Sequence, residues 1–255
     1  MTINELKRIA AQKSVEDIKS GMVIGLGSGS TFQYALELIG EKFRSGELKD
    51  IKGVASSSKT EAAAKQLGIP LITLNQVSST QHPASRIIDL TIDGADEVTV
   101  GHPERSEGSN VEGSKGSSVI NLIKGGGGAL LHEKVIAQNS KKLSIIIDEN
   151  KLSETLGSKF AVPVEVIPFA VEVEKKFLES IGAKVTMRVD DDGNEFITDE
   201  GNLILDAEFG KIKNVDELNK ILNSRAGIVE HGMFLNLASV IYCATKEGIK
   251  VFNRS

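Results

Sequence analysis

Three short stretches carry the residue types that proton transfer on an anionic small molecule requires. Lys124 is followed by four consecutive glycines, Gly125 to Gly128, and then by Ala129-Leu130-Leu131-His132-Glu133, where a helical pattern begins. A run of glycines loses much conformational entropy on folding, so a backbone kept bare of side chains there suits a ligand that comes close to it. A lysine beside exposed glycine N–H groups makes a clamp for an oxyanion or a hydroxyl. Taken alone, Glu133 is an ordinary acidic residue complementing a helix dipole; in the company of Lys124 and two aspartates it becomes a candidate base.

Those aspartates form the second stretch, Asp93-Gly94-Ala95-Asp96-Glu97, into which the β-rich run Ile87–Ile92 empties. Asp-Gly is also a common hairpin signal, and acidic residues at turns are usually only solvated. Three carboxylates within five residues repel one another, however, and the carboxyl ends of parallel strands are where ligands collect. The third stretch, Gly27-Ser28-Gly29-Ser30-Thr31, lies between the apolar Met22–Leu26 and a helical pattern from Phe32 to Phe43. It reads as a tight βα turn or as a phosphate site, in which helix N–H groups and hydroxyls serve as donors. Ser30 and Phe32 stand where G-x-G-x-x-G would need glycine, and no G-x-x-x-x-G-K-[ST] occurs, so a monophosphate is the simpler ligand.

Composition narrows the partners. A net charge of -5 without a basic run argues against nucleic acid, and no stretch is apolar over the roughly 18 residues a membrane span needs. The N-terminus lacks an apolar signal core, so a soluble, cytoplasmic protein is expected. Cys243 is the only cysteine, and His82, His102, His132 and His231 lack metal-site spacing, so no metal is implied. No G-x-S-x-G elbow supports serine hydrolase chemistry. Ser56-Ser57-Ser58 reads as a helix-capping loop or as further hydroxyl donors, and capping is the favoured reading.

The elements needed to bring these stretches together read as an α/β fold. An amphipathic helix over 2–20 precedes strands at 22–26, 51–55, 71–74, 87–92 and 143–147, alternating with helices at 32–43, 59–67 and up to about 139. Residues 99–118, rich in Gly, Ser, Glu and Asn, read as a mobile surface loop. From about residue 162 the rhythm changes to a small α+β unit. Strands are expected at 162–167, 184–189 and 227–234, two short ones within 195–209, and helices at 170–181 and 215–222. A last helix or strand pair, 238–244 with 250–252, is expected to return to the first unit. The organisation is thus 1–164 with 237–255 as a Rossmann-like parallel-sheet domain, and 165–236 as a smaller ferredoxin-like domain.

The ordered set Gly25-x-Gly27-Ser28-Gly29-Ser30-Thr31, Ser56-Ser57-Ser58, Asp93-Gly94-Ala95-Asp96-Glu97, Lys124 through Lys134, Lys159-Phe-x-Val-Pro-Val-Glu165-Val and Thr198-Asp-x-Gly-Asn202-x-Ile-x-Asp206 resembles ribose-5-phosphate isomerase, type A, over nearly the whole chain. The resemblance implies interconversion of ribose 5-phosphate and ribulose 5-phosphate, in the non-oxidative pentose phosphate pathway, without metal or organic cofactor. It implies a homodimer or a dimer of dimers, and the same two-domain fold. It implies phosphate binding by Ser28, Gly29, Ser30 and Thr31, with a fainter contact from Lys7, and Glu133 as the base moving a proton between C2 and C1. Asp93, Asp96 and Lys124 are implied to handle the sugar hydroxyls, with substrate contacts from Gly94, Ala95, Gly125, Gly126, Gly127 and Lys159. The chemistry suits those types: an enediolate needs a base, ideally with a pKa raised by burial, and a donor for the developing oxyanion. Asp93 suits by type the opening of the furanose ring. Ser28 stands where the family frequently has threonine, and the hydroxyl is retained. Two rivals are a sugar-phosphate effector domain of a bacterial regulator and a related enzyme such as an aminosugar-phosphate deaminase. The first normally carries a helix-turn-helix, for which the N-terminal helix is too short, and Lys124 with Glu133 favours proton transfer over binding alone.

Overall fold

The computed structural model describes residues 1–78, 87–101 and 119–254. Helix α1 (Ile3–Val15) opens on a capping box, in which the Thr2 hydroxyl accepts from Glu5 N and the Glu5 carboxylate accepts from Thr2 N. It stops five residues before the expected end, because Asp17 N and Ile18 N turn back to the Ser14 and Val15 carbonyls and tighten the last turn. Then follow β1 (Val23–Leu26), α2 (Gly29–Arg44), β2 (Lys52–Ala55), α3 (Ser58–Gln66), the short α4 (Leu74–Ser78) and β3 (Ile88–Asp93). Next come β4 (Glu97–Gly101), β5 (Val119–Ile123), α5 (Leu130–Gln138) and β6 (Ser140–Asp148). The rest is β7 (Val162–Val166), α6 (Val171–Ser180), β8 (Lys184–Met187), β9 (Leu203–Glu208), α7 (Val215–Asn223), β10 (Ile228–His231), β11 (Met233–Leu235), β12 (Val240–Thr245) and β13 (Gly248–Asn253).

Three sheets result. The largest runs β13-β12-β6-β3-β1-β2, parallel except for β13 at its edge. Its central strand β6 is buried from Leu143 to Asp148, the near-continuous apolar run of a strand covered on both faces. Strand β1 has β2 on one side and β3 on the other, so connections leave it in opposite directions, and a crevice opens between the β1 and β3 carboxyl ends. Both the Gly27–Thr31 turn and the Asp93–Asp96 turn leave from there. A Cβ on Gly25 would lie 2.7 Å from Ile136 Cγ2 of α5, so the bare backbone of β1 lets α5 settle close and brings Glu133, one turn earlier, over the strand ends. The four-stranded antiparallel sheet β10-β7-β9-β8, with α6 and α7, has the βαββαβ order of a ferredoxin-like unit. In a three-stranded sheet, β11-β5-β4, the strands β4 and β5 come between β3 and β6 of the large sheet and β11 between β10 and β12, and β5 ends just before Lys124.

Several expected elements differ. Residues 71–74 are not a strand: Leu71 makes one isolated bridge to Gly53, and α4 begins at Leu74. Thr99 to Gly101 complete β4 rather than begin a loop, and 102–118 lie outside the described residues, as do His82 and His102. Within 195–209 only β9 is a full strand, flanked by isolated bridges from Glu195 and Ile197. The single strand expected at 227–234 is two, β10 and β11, which join different sheets on either side of Gly232. A Cβ there would lie 2.2 Å from the Lys124 carbonyl oxygen, so this crossing needs glycine. The terminal piece is a strand pair, and β12 pairs in parallel with β6 of the large sheet.

Candidate active site

Lys124 is 3 % exposed and stands between two buried carboxylates: its Nζ lies 2.9 Å from Asp93 Oδ2 and 3.2 Å from Glu133 Oε1, and donates to the Gly94 carbonyl at 2.7 Å. Burial opposes its charge, but Asp93 and then Glu133 overcome this and hold the ammonium well above the usual lysine range. Glu133 is displaced the other way. Its burial, with Asp93 and Asp96 nearby, outweighs the attraction of Lys124 and pushes it up to about 7. Glu133 Oε2 is buried with no partner among the described residues, which leaves one lone-pair face for a substrate proton.

The two aspartates are placed differently. Asp93 spends both oxygens on the protein: Oδ2 on Lys124, and Oδ1 on the N–H groups of Ser28, at 3.0 Å, and Gly94, at 2.8 Å. It sits against Gly27, where a Cβ would come within 2.3 Å of Asp93 Oδ1. It therefore locks the two strand-end turns together beneath the cavity. Asp96 faces the cavity itself and accepts from Gly126 N at 2.8 Å through Oδ2. Glu97, the third carboxylate, is outside the site. It is fully buried and accepts from the N–H groups of Gly157, Ser158, Lys159 and Phe160, so that part of the acidic cluster folds the chain ahead of β7.

At the other end of the cavity, α2 begins with its first N–H groups uncapped. Ser28 is the N-cap residue, yet its hydroxyl makes no cap bond; it is drawn instead to Ser56 Oγ at 2.7 Å and Ser57 Oγ at 3.2 Å. A 16-residue helix thus presents an open positive end, with Lys7 Nζ 2.9 Å from Ser30 Oγ beside it. Ser57 caps α3 by accepting from Thr60 N, as the serine run suggested.

One cavity is lined by Ser28 to Thr31, Gly94 to Asp96, Lys124 to Gly127, Glu133, Lys7 and Lys151. It unites the sequence candidates with two exceptions. Asp93 acts from beneath. Lys159 does not line the cavity: its Nζ donates to the carbonyls of Asn150 and Leu152. Lys151, in the 3₁₀ turn after β6, lines the cavity instead and was not anticipated. A larger cleft of about 550 Å³ beside Leu71–Gln76 and α5 has His132 on its wall but none of the lysine, aspartate or glutamate groups above.

Comparison with known proteins then decides the family. The family described as ribose 5-phosphate isomerase A (phosphoriboisomerase A) matches residues 52–104 and 114–248. The chain belongs to that family. It is 48 % identical over 245 residues to a ribose-5-phosphate isomerase A of Desulfatibacillum aliphaticivorans, covering 96 % of this chain and 95 % of the relative. A solved D-ribose-5-phosphate isomerase in complex with phospho-erythronic acid superposes with a TM-score of 0.86 at 36 % identity, over 100 % of both chains. The isomerase from Plasmodium falciparum gives 0.85 at 36 % identity over 99 % of both. Membership in the ribose-5-phosphate isomerase A family makes the chain an isomerase and accounts for the motif order. Glu165 is buried, and its Oε1 accepts from Thr198 Oγ1 and Asn202 Nδ2, both at 2.9 Å, which ties the Thr198–Asn202 turn to β7; its Oε2 has no partner among the described residues.

Proposed function

We propose that this cavity interconverts ribose 5-phosphate and ribulose 5-phosphate by proton transfer through an enediolate, with Glu133 as the base. The buried, unpartnered Glu133 Oε2, beside a cation on its other oxygen, carries this reading. The phosphate takes the open N-terminus of α2, with the hydroxyls of Ser30 and Thr31 and the charges of Lys7 and Lys151 around it. With the phosphate held there, the sugar extends toward Lys124. Asp96 faces the cavity with one oxygen uncommitted among the described residues and serves ring opening. Asp93, with both oxygens bound, fixes Lys124 and the Ser28 turn. Glu133 removes the C2 proton of the open aldehyde, Lys124 and the Gly127 N–H stabilise the oxyanion at O1, the O2 hydroxyl proton passes to O1, and the protonated glutamate returns its proton to C1 as C2–O2 becomes the ketone. For an oxyanion, a lost donor of this kind typically costs about 3–4 kcal/mol of transition-state stabilisation.

We also propose two structural units. Sheet membership supports a division just ahead of β7, near residue 161, and a return after β10, slightly shifted from the boundaries expected from the sequence. A homodimer in the cytoplasm is the family-based expectation, and sedimentation of the purified chain tests the first part. The reaction is tested by following ketose formation from ribose 5-phosphate with a chelator present. Turnover supports the assignment, and absence of turnover on any aldopentose phosphate would favour a binding module.

A further inference from the structure

Arg188 belongs to the small antiparallel unit, yet its guanidinium reaches the glycine loop: Nη1 donates to the Gly125 carbonyl at 2.6 Å and to the Gly126 carbonyl at 3.2 Å. We infer that Arg188 is a positioning residue for the isomerisation, fixing the two glycine peptides so that the Gly127 N–H points at the oxyanion. This inference rests on the reading of the cavity given above.

The sequence holds Arg188 firmly. Its N–H donates to the Ile204 carbonyl at 2.9 Å, which extends by one step the antiparallel ladder in which Thr186 faces Asp206. Arg188 and Asp206 therefore fall diagonally on one face of the sheet, and the guanidinium grips Asp206 at both oxygens, Nε to Oδ2 at 2.9 Å and Nη2 to Oδ1. The remaining nitrogen, Nη1, is aimed at the loop. The Arg188 side chain is 11 % exposed, so little water competes for these bonds.

The loop needs such a hold. Gly125 to Gly128 carry no side chains to fix their dihedrals, and a peptide between glycines rotates at low cost. In a trans peptide, the carbonyl of one residue and the N–H of the next point to opposite sides. The Gly125 carbonyl, held by Arg188 and by Gly128 N at 3.0 Å, sends the Gly126 N–H the other way, where it meets Asp96 Oδ2 at 2.8 Å. The Gly126 carbonyl, held by Arg188, likewise sends the Gly127 N–H away from the arginine. That N–H has no partner among the described residues, and Gly127 lines the cavity. Without Arg188 the second peptide is free to turn, presenting a carbonyl oxygen where the reaction builds negative charge.

The test uses Arg188→Lys, which keeps a charge but not the fork, and Arg188→Ala with and without added guanidinium. Measured for each are kcat, KM, the affinity for inorganic phosphate, and the affinity for a phosphorylated aldonate whose carboxylate imitates the enediolate. The expected result is a kcat lowered by about 10²-fold, the size of one lost oxyanion donor, with weakened aldonate binding and unchanged phosphate binding. Guanidinium should restore part of kcat in Arg188→Ala and none in Glu133→Gln. Normal kcat in both arginine variants overturns the inference. So does loss of phosphate affinity and thermal stability in parallel with kcat, or an absence of guanidinium rescue, since a purely structural role gives those. A wild-type chain that does not isomerise ribose 5-phosphate overturns the underlying reading instead.

Discussion

Lys124 Nζ lies 3.2 Å from Glu133 Oε1, while Glu133 Oε2, equally buried, meets no protein group among those described. A single cation thus serves two roles. It keeps a buried carboxylate ionisable near neutrality and occupies only one of its oxygens, leaving the other to take a proton from carbon.

The pH profile should report this pair. Isomerisation requires ionised Glu133, whose pKa is pushed up to about 7, so kcat/KM is expected to rise with pH to about 7 and then level. Lys124→Met removes the charge that favours ionisation, so the rising limb should move to higher pH as activity falls. A limb that stays in place would belong to the substrate phosphate, which titrates near 6. Stability follows with the opposite slope. Between the ordinary 4.5 and about 7 the folded state holds a proton that the unfolded chain has released, so Glu133's contribution to stability falls as pH rises through that window. Glu133→Gln should flatten that part of a stability-versus-pH curve.

Glu97 should behave as a structural residue despite its neighbours. Glu97→Ala strands four N–H groups of the 157–160 segment, so urea denaturation should show a loss of about 3 kcal/mol or more. The folded fraction should keep its turnover. A large fall in kcat without loss of stability would place Glu97 in the reaction.

The two lysines near the end of β6 should separate cleanly. Lys151 lines the cavity, and Lys151→Ala is expected to raise KM by about tenfold, the equivalent of about 1.4 kcal/mol in phosphate binding. Lys159 is bound to backbone carbonyls, and Lys159→Ala should leave KM unchanged. The reverse pattern in steady-state kinetics would contradict the placement.

These residues also mark what the sequence discloses. The strand, turn and helix start at Gly27–Thr31, and the Lys124–Glu133 run, are legible because backbone-dependent chemistry leaves glycines and hydroxyls in contiguous stretches. Lys151 left no such trace: it is one lysine in a short turn, brought in by the end of β6. Lys159 enters through a motif, which does not display where a side chain points; in the fold its N–H donates to Glu97 and its Nζ to two backbone carbonyls. The β4 and β5 pair escaped notice because each strand is five residues long and the 99–118 composition masked the alternation. Arg188 was invisible for a different reason: its contacts to Gly125 and Gly126 span more than sixty residues and involve only carbonyl oxygens of the loop.

Glu133→Gln removes the base of the proton transfer and keeps its shape. Ribose 5-phosphate binding, read by calorimetry, should persist, while kcat falls by about 10²–10⁴-fold, the range expected for losing a general base. Turnover near the wild-type rate in that variant would show that Glu133 is not the base.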